Sequence, residues 1–197
     1  MTKIVIGSVV GGGLLGYFIL PESFLPISEY IIIAGLCGLL FFVGLDIGIQ
    51  GTVMKNLKKA GARILMFPVA AIVGTFAGAA FAGMFLPIQL NEALAVGSGF
   101  GWYSLAPLII DPYSGSLSAM SFLHNVLREL FGIVSIPIVA KYIGYIETVG
   151  LPGAAAMDVC LPIVEKSTST EVAIYSFISG ITLSAAVPIF VPLFLGL

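Results

Sequence analysis

SLSAMSFLHNVLRELFGIVSIPIVA, residues 116–140, is apolar and long enough to span a bilayer, yet carries His124, Asn125, Arg128 and Glu129 near its middle. A charged side chain at bilayer depth costs at least a few kcal/mol, so it faces a partner or a watery cavity rather than lipid. At about 100° per residue, Ser121, His124, Asn125, Arg128, Glu129, Gly132 and Ser135 share an arc of roughly 140°. Leu123, Leu127, Leu130 and Ile133 fall mostly outside it. A polar stripe on an otherwise apolar helix belongs to a protein that handles something polar inside a membrane.

The rest of the chain agrees. Of its 197 residues, 59% are hydrophobic and 9% charged, and the mean hydropathy is +1.14. Soluble domains carry about 25% charged residues, so the composition indicates an integral membrane protein. No stretch is long or polar enough for a separate soluble domain, and 1–197 reads as a single transmembrane domain. A net charge of -2 without a basic run gives no footprint for nucleic acid. Cys37 and Cys160 lie far apart in apolar surroundings, where free cysteines pack as small hydrophobes. With one histidine and no cysteine pair beside it, no metal-ligand spacing is present. No nucleophile–base pair is visible, so neither an enzyme nor a bound cofactor is expected.

Seven hydrophobic elements are predicted, at 3–20, 28–50, 62–86, 92–110, 117–140, 143–164 and 171–196. The first resembles a leader peptide but lacks a small-x-small site before Pro21, and it reads as the first crossing. The loop QGTVMKNLKKAGAR, residues 50–63, concentrates Lys55, Lys58, Lys59 and Arg63. Short loops rich in Lys and Arg stay cytoplasmic, which places the N-terminus inside as well. The Gly-x-x-x-Gly spacings at Gly7, Gly12 and Gly74 read as helix packing. Ser167 to Thr170, followed by Glu171, reads as the cap of the last helix.

Two elements do not read as plain helices. LAVGSGFGWYSLAP (94–107) sets Gly97, Gly99, Gly101 and Pro107 around Trp102, Tyr103 and Ser104, and GLPGAAAMDVCLP (150–162) sets Pro152, Gly153 and Pro162 around Asp158. Glycine costs about 1 kcal/mol and proline about 3 inside a helix, so both stretches should unwind or kink. Such backbone survives at membrane depth only where protein or a water-filled cavity covers it. Secondary transporters build their sites from discontinuous helices of this kind. Gly11, Gly12 and Gly13 make the first element a weaker candidate for a break.

Candidate site residues follow. Asp158, in the proline-bracketed break, suits an amine or a coupling cation. Arg128 and Glu129 have two readings: ion pairs to other helices, or a substrate or proton site. His124 is a proton relay or a satisfied polar residue one turn from Arg128. Asn125 adds a neutral hydrogen-bonding group on the same arc. Trp102, Tyr103 and Ser104 line a cavity or belong to an interfacial aromatic belt. Asp46, in FFVGLDIG, falls near the cytoplasmic edge of its helix, where a solvated carboxylate and a functional one are both open.

GSGFGWYSL (97–105), FL-x-N-x-x-REL (122–130) and G-A-x-x-MD-x-x-LP (153–162) occur in this order, and together with FFVGLD (41–46) they resemble the bacterial lysine exporter family over essentially the whole chain. The resemblance implies a multi-pass inner-membrane exporter of L-lysine and its toxic analogues, coupled to a cation gradient by a proton or sodium ion. It also implies about a hundred further residues at the N-terminus of full-length members, and a family that in some genomes exists as two shorter proteins. Where some members have Asn-Asp, this chain has His124-Asn125. Where they have hydroxyl residues around Met-Asp, it has Ala155, Ala156 and Cys160.

The expected architecture is thus an all-α polytopic membrane protein with discontinuous helices, of the inverted-repeat transporter type. The expected function is secondary antiport of lysine or a related cationic amino acid, by a homo-oligomer or with a small membrane partner subunit. The rivals are an organic-anion or bile-acid-like carrier centred on Arg128, and a non-transporting scaffold subunit. Single cysteines placed in the Lys55–Arg63 loop should resist an impermeant thiol reagent added to intact cells; ready labelling from outside would reverse the assigned orientation.

Overall fold

The structure is a computed structural model that describes residues 2–19, 21, scattered positions between 27 and 49, and 61–197. Among these residues the regular structure is entirely helical. The helices are α1 (Thr2–Phe18), α2 (Met66–Gly83), α3 (Leu90–Gly97), α4 (Ala106–Ile110), α5 (Gly115–Tyr142), α6 (Leu161–Ser167) and α7 (Thr170–Leu195). Three-residue-per-turn segments occur at Gly61–Leu65, Ile146–Gly150 and Gly153–Met157. Three of the described helices, α2, α5 and α7, are long and apolar enough to cross a membrane. The protein is therefore a polytopic helical membrane protein.

The long helices start where the sequence supplies an oxygen for their first orphan N–H groups. At α5, Ser114 Oγ accepts from the Leu117 N–H at 3.3 Å. At α7 it is Ser169 that caps, accepting from the Val172 N–H at 3.4 Å. Gln89 and Glu92 form a reciprocal box at the start of α3, the Gln89 N–H donating to Glu92 Oε2 at 2.8 Å. Helix α7 ends at Gly196 in the left-handed conformation, φ 71°.

Both glycine- and proline-rich stretches are broken as expected. Between α3 and α4 the chain unwinds through residues 98–105, and between Gly150 and α6 it passes through one short tight turn. The predicted element 143–164 is accordingly not one helix. Element 92–110 is two half-helices. By contrast α1 runs unbroken through Gly11, Gly12 and Gly13, because glycine lowers helix stability without forbidding it. The expected close packing at Gly7, Gly11, Gly12, Gly16, Gly74 and Gly78 is not seen among the described residues: a Cβ there would meet nothing within 4 Å. The close approaches fall elsewhere. A Cβ on Gly97 would come 2.7 Å from Ala79 Cβ, and one on Gly83 would come 2.8 Å from Ala93 Cβ. Helices α2 and α3 thus meet nearly backbone to backbone.

The two breaks touch. The Ala154 N–H donates to the Phe100 carbonyl at 2.7 Å. Phe100 is a non-glycine residue in left-handed backbone, φ 46°. Its ring is fully buried and packs on Phe76 at 5.9 Å and Phe190 at 6.3 Å. That packing over-determines the strained conformation, which otherwise costs about 1–3 kcal/mol. Around it lies the larger core cluster, including Val96, Ile110, Leu183, Val187 and Val191. A second cluster, with Ile136, Val149, Cys160, Val164 and Val172, packs beneath the other break.

Gly153 stands at the contact with φ 67°, and a Cβ there would fall 3.0 Å from Arg128 Nε and closer still to the Phe100 carbonyl. Overpacking alone costs about 1–3 kcal/mol. Gly153→Ala should therefore lower the thermal unfolding temperature in detergent. Gly150→Ala, where a Cβ meets nothing within 4 Å, should stay near wild type. Equal stability of the two variants would refute this account of the crossing.

Candidate functional site

The polar arc of α5 is wide enough to face two directions, and the structure uses it that way. Its centre is buried against the crossing: Ser121, Asn125 and Gly132 are all buried. Asn125 Oδ1 accepts from the Gly101 N–H at 2.7 Å, while its amide nitrogen donates to the Ser121 carbonyl at 2.8 Å and to Ser121 Oγ at 3.2 Å. These contacts hold the unwound backbone of the first break against α5. A Cβ at Gly132 would lie 3.1 Å from Pro152 Cα, so the second break also rests on this helix.

On one flank, Glu129 enters a small cavity of about 90 Å³. Its lining brings together Trp102, Tyr103 and Ser104 from the first break, Asp158 from the second, Glu129 from α5 and Ser184 from α7. Trp102 Nε1 donates to Ser104 Oγ at 3.0 Å. The Asp158 carboxylate accepts from the Val159 N–H at 2.6 Å, which aims it from the end of the tight turn. Ser184 Oγ reaches Met157 Sδ at 3.8 Å. Two carboxylates facing one cavity repel each other, and a cation between them removes that cost. The volume is well below the ~300 Å³ at which small-molecule pockets begin. It suits a small cationic group, such as the ammonium end of a longer molecule.

On the opposite flank, Arg128 and His124 line a different, larger groove beside α2 and α3. Arg128 Nη1 donates to Thr75 Oγ1 at 3.0 Å. The structure thus brings together five of the expected site residues, Asp158, Glu129, Trp102, Tyr103 and Ser104. It separates Arg128 and His124 from them and commits Asn125 to protein contacts. Adjacent residues on a helix point about 100° apart, which is why Arg128 and Glu129 part ways. Asp46 lies outside the described residues.

Ser184 was not among the expected residues. Its signal was a second stripe: Ser176, Ser179, Gly180 and Ser184 share one arc of α7. Ser176 Oγ donates to the Ala156 carbonyl at 3.1 Å, and a Cβ at Gly180 would fall 2.5 Å from the Met157 N. The stripe lets the tight turn Gly153–Met157 lie directly on α7. Cys160 is buried, as its apolar setting implied.

A family profile described as lysine exporter LysO matches residues 6–195. The chain belongs to the lysine exporter LysO family. The lysine exporter LysO of Escherichia coli (strain K12) is 30% identical over 192 residues, covering 97% of this chain and 61% of that protein. The chain therefore spans less than two thirds of that relative's length. A relative from Haemophilus influenzae (strain Rd) is 29% identical over 176 residues, covering 87% of this chain and 84% of its own. No solved structure matches.

If the carboxylates serve a ligand, the empty site should carry repulsion that neutralisation relieves, the usual exchange of stability for function. In sodium-free buffer at pH 8, Asp158→Asn should unfold at or above the wild-type temperature. A loss of several degrees would make the carboxylate a structural anchor.

Proposed function

We propose that this chain is the transport unit of a secondary exporter for L-lysine or a closely related cationic amino acid in the bacterial inner membrane. The observation that carries the reading is the pair of carboxylates, Asp158 and Glu129, lining one cavity where two broken segments cross. Membership of the lysine exporter family and the lysine exporter name of the E. coli relative support the same substrate class.

In this reading the carboxylates receive a cation at mid-membrane. The side-chain ammonium of lysine and the coupling ion, a proton or sodium, compete for them, which is the elementary requirement of antiport. Ser104, Ser184 and Tyr103 supply neutral hydrogen-bonding groups, and the Trp102 ring offers a face to which cations are attracted. Alternating access follows when the crossing shifts against its surroundings and exposes the carboxylates to one side at a time. Among the described residues Arg128 and Glu129 form no ion pair, so Glu129 remains available to the cavity.

Expression in cells stripped of their own exporter, with a partner chain where one is needed, should confer resistance to a toxic lysine analogue. A hydrogen bond to a charged group contributes about 1.5–3 kcal/mol, so Asp158→Asn should cut efflux roughly tenfold or more. Wild-type efflux in that variant, at matched membrane levels, would move the site elsewhere. Absence of resistance from the inserted wild-type protein would point to another substrate.

A further inference from the structure

Arg128 sits halfway along α5, the depth at which a cation is least tolerated. Among the described residues its hydrogen bonding is limited to the neutral Thr75 hydroxyl, and it forms no ion pair. It lines a groove of about 600 Å³ walled by α2, α3 and α5, in which Thr75, His124 and Arg128 are the polar residues among apolar ones and glycines. His124 Nδ1 is buried there without a hydrogen-bond partner among the described residues. A buried cation beneath apolar walls calls for a carboxylate carried on an apolar body.

The chain's own span 28–50 answers this demand in position, depth and face. Its position is bounded at both ends. Helix α1, which ends at Phe18, lies against α5, and the chain enters α2 from Gly61–Leu65. The span therefore connects a neighbour of one groove wall to the other wall, and consecutive elements usually lie side by side. For depth, the run between Glu29 and Lys55 carries one charged residue, Asp46. Asp46 stands four residues past the middle of that run, about 6 Å toward the basic loop 55–63. That is nearer midspan than the boundaries 28–50 imply. Thr75, the hydrogen-bond partner of Arg128, stands about 4 Å from the middle of the run between Arg63 and Glu92, displaced toward the same loop. The two charges are thus matched in depth. As to face, the described positions from Ile27 to Ile49 are helical and, apart from the half-buried Gly38, exposed. They share an arc of about 140°, and Asp46 falls outside it. Tyr30, Phe41, Phe42 and Ile49 make that arc an apolar surface suited to lipid, which leaves the flank with Asp46 for protein. On the groove side, Gly78, Ala79, Ala82 and Gly83 of α2 allow close approach of a helix backbone.

We propose that the groove seats the chain's own span 28–50, with Asp46 paired to Arg128. The carboxylate neutralises the guanidinium, and the pair ties the span to α5 and, through Thr75, to α2. The two adjacent charges of α5 then have separate tasks: Arg128 fastens a helix, and Glu129 faces the cavity. The inference does not depend on the substrate, since its test reads proximity within the chain and not transport.

A photoreactive benzoylphenylalanine is placed at Leu123, in the groove, or at Leu193, exposed on α7. Each full-length protein is irradiated in the membranes of its native cell, and adducts are mapped by mass spectrometry. Co-expressed isotope-labelled and unlabelled copies separate an adduct within one chain from one between copies. With Asp46 and Arg128 both intact, position 123 should join the stretch 30–54 of its own chain, and position 193 should not. Asp46→Arg should lower that yield at least fivefold, and Asp46→Arg combined with Arg128→Asp should bring it back to at least half. Adducts at position 123 formed only with lipid, with a second copy or with another protein would overturn the proposal, whatever the variants do. An adduct yield indifferent to Asp46→Arg would overturn the pairing.

Discussion

The hydrogen bond from the Ala154 N–H to the Phe100 carbonyl, 2.7 Å, joins two stretches of chain that have both left the helical pattern. In lipid an unwound backbone has no water to satisfy it, so it persists only when other protein supplies the missing partners. Each break here supplies the other. Asn125 adds the next connection, taking the Gly101 N–H into the side of α5. With the backbone thus satisfied, the breaks can present Trp102, Tyr103, Ser104 and Asp158 at a depth where a regular helix would show only its own side chains.

The same contact explains the composition of the helices around it. A crossing of two irregular segments is bulkier than a single helix, and its neighbours must be slim where they touch it. Helix α5 contributes Gly132 under Pro152, and α7 contributes Gly180 under Met157 and Ala154. The hydroxyls beside them finish the work: Ser121 holds the Asn125 amide and Ser176 reaches the Ala156 carbonyl. Charge is then sorted by α5 itself. One flank carries Glu129 toward the crossing cavity and the other carries Arg128 toward the groove.

Much of this was legible in the chain. The spans expected at 117–140 and 171–196 are the helices Gly115–Tyr142 and Thr170–Leu195, because capping serines and continuous apolar faces are local signals. The breaks were legible for the same reason, since glycine and proline act on their own backbone. The partition of the polar arc was not. Periodicity says that Arg128 and Glu129 share a broad face; it cannot say that a crossing will divide that face between two compartments. Ser184 escaped notice because the hydroxyl stripe of α7 acquires meaning only from what packs on it. The unbroken α1 shows the converse: three consecutive glycines weaken a helix without forbidding it.

The left-handed backbone at Phe100 narrows what evolution can do at that position. Glycine would relieve the backbone but leave a hole where a buried ring meets Phe76 and Phe190, and emptying such a site costs about 3–5 kcal/mol. A β-branched residue would fill part of the hole but resist the conformation most strongly. The residue that best suits the local backbone and the residue that best suits the core are therefore different. Drift at position 100 is held in a narrow channel, in which neighbouring aromatics must change before, or together with, Phe100 itself.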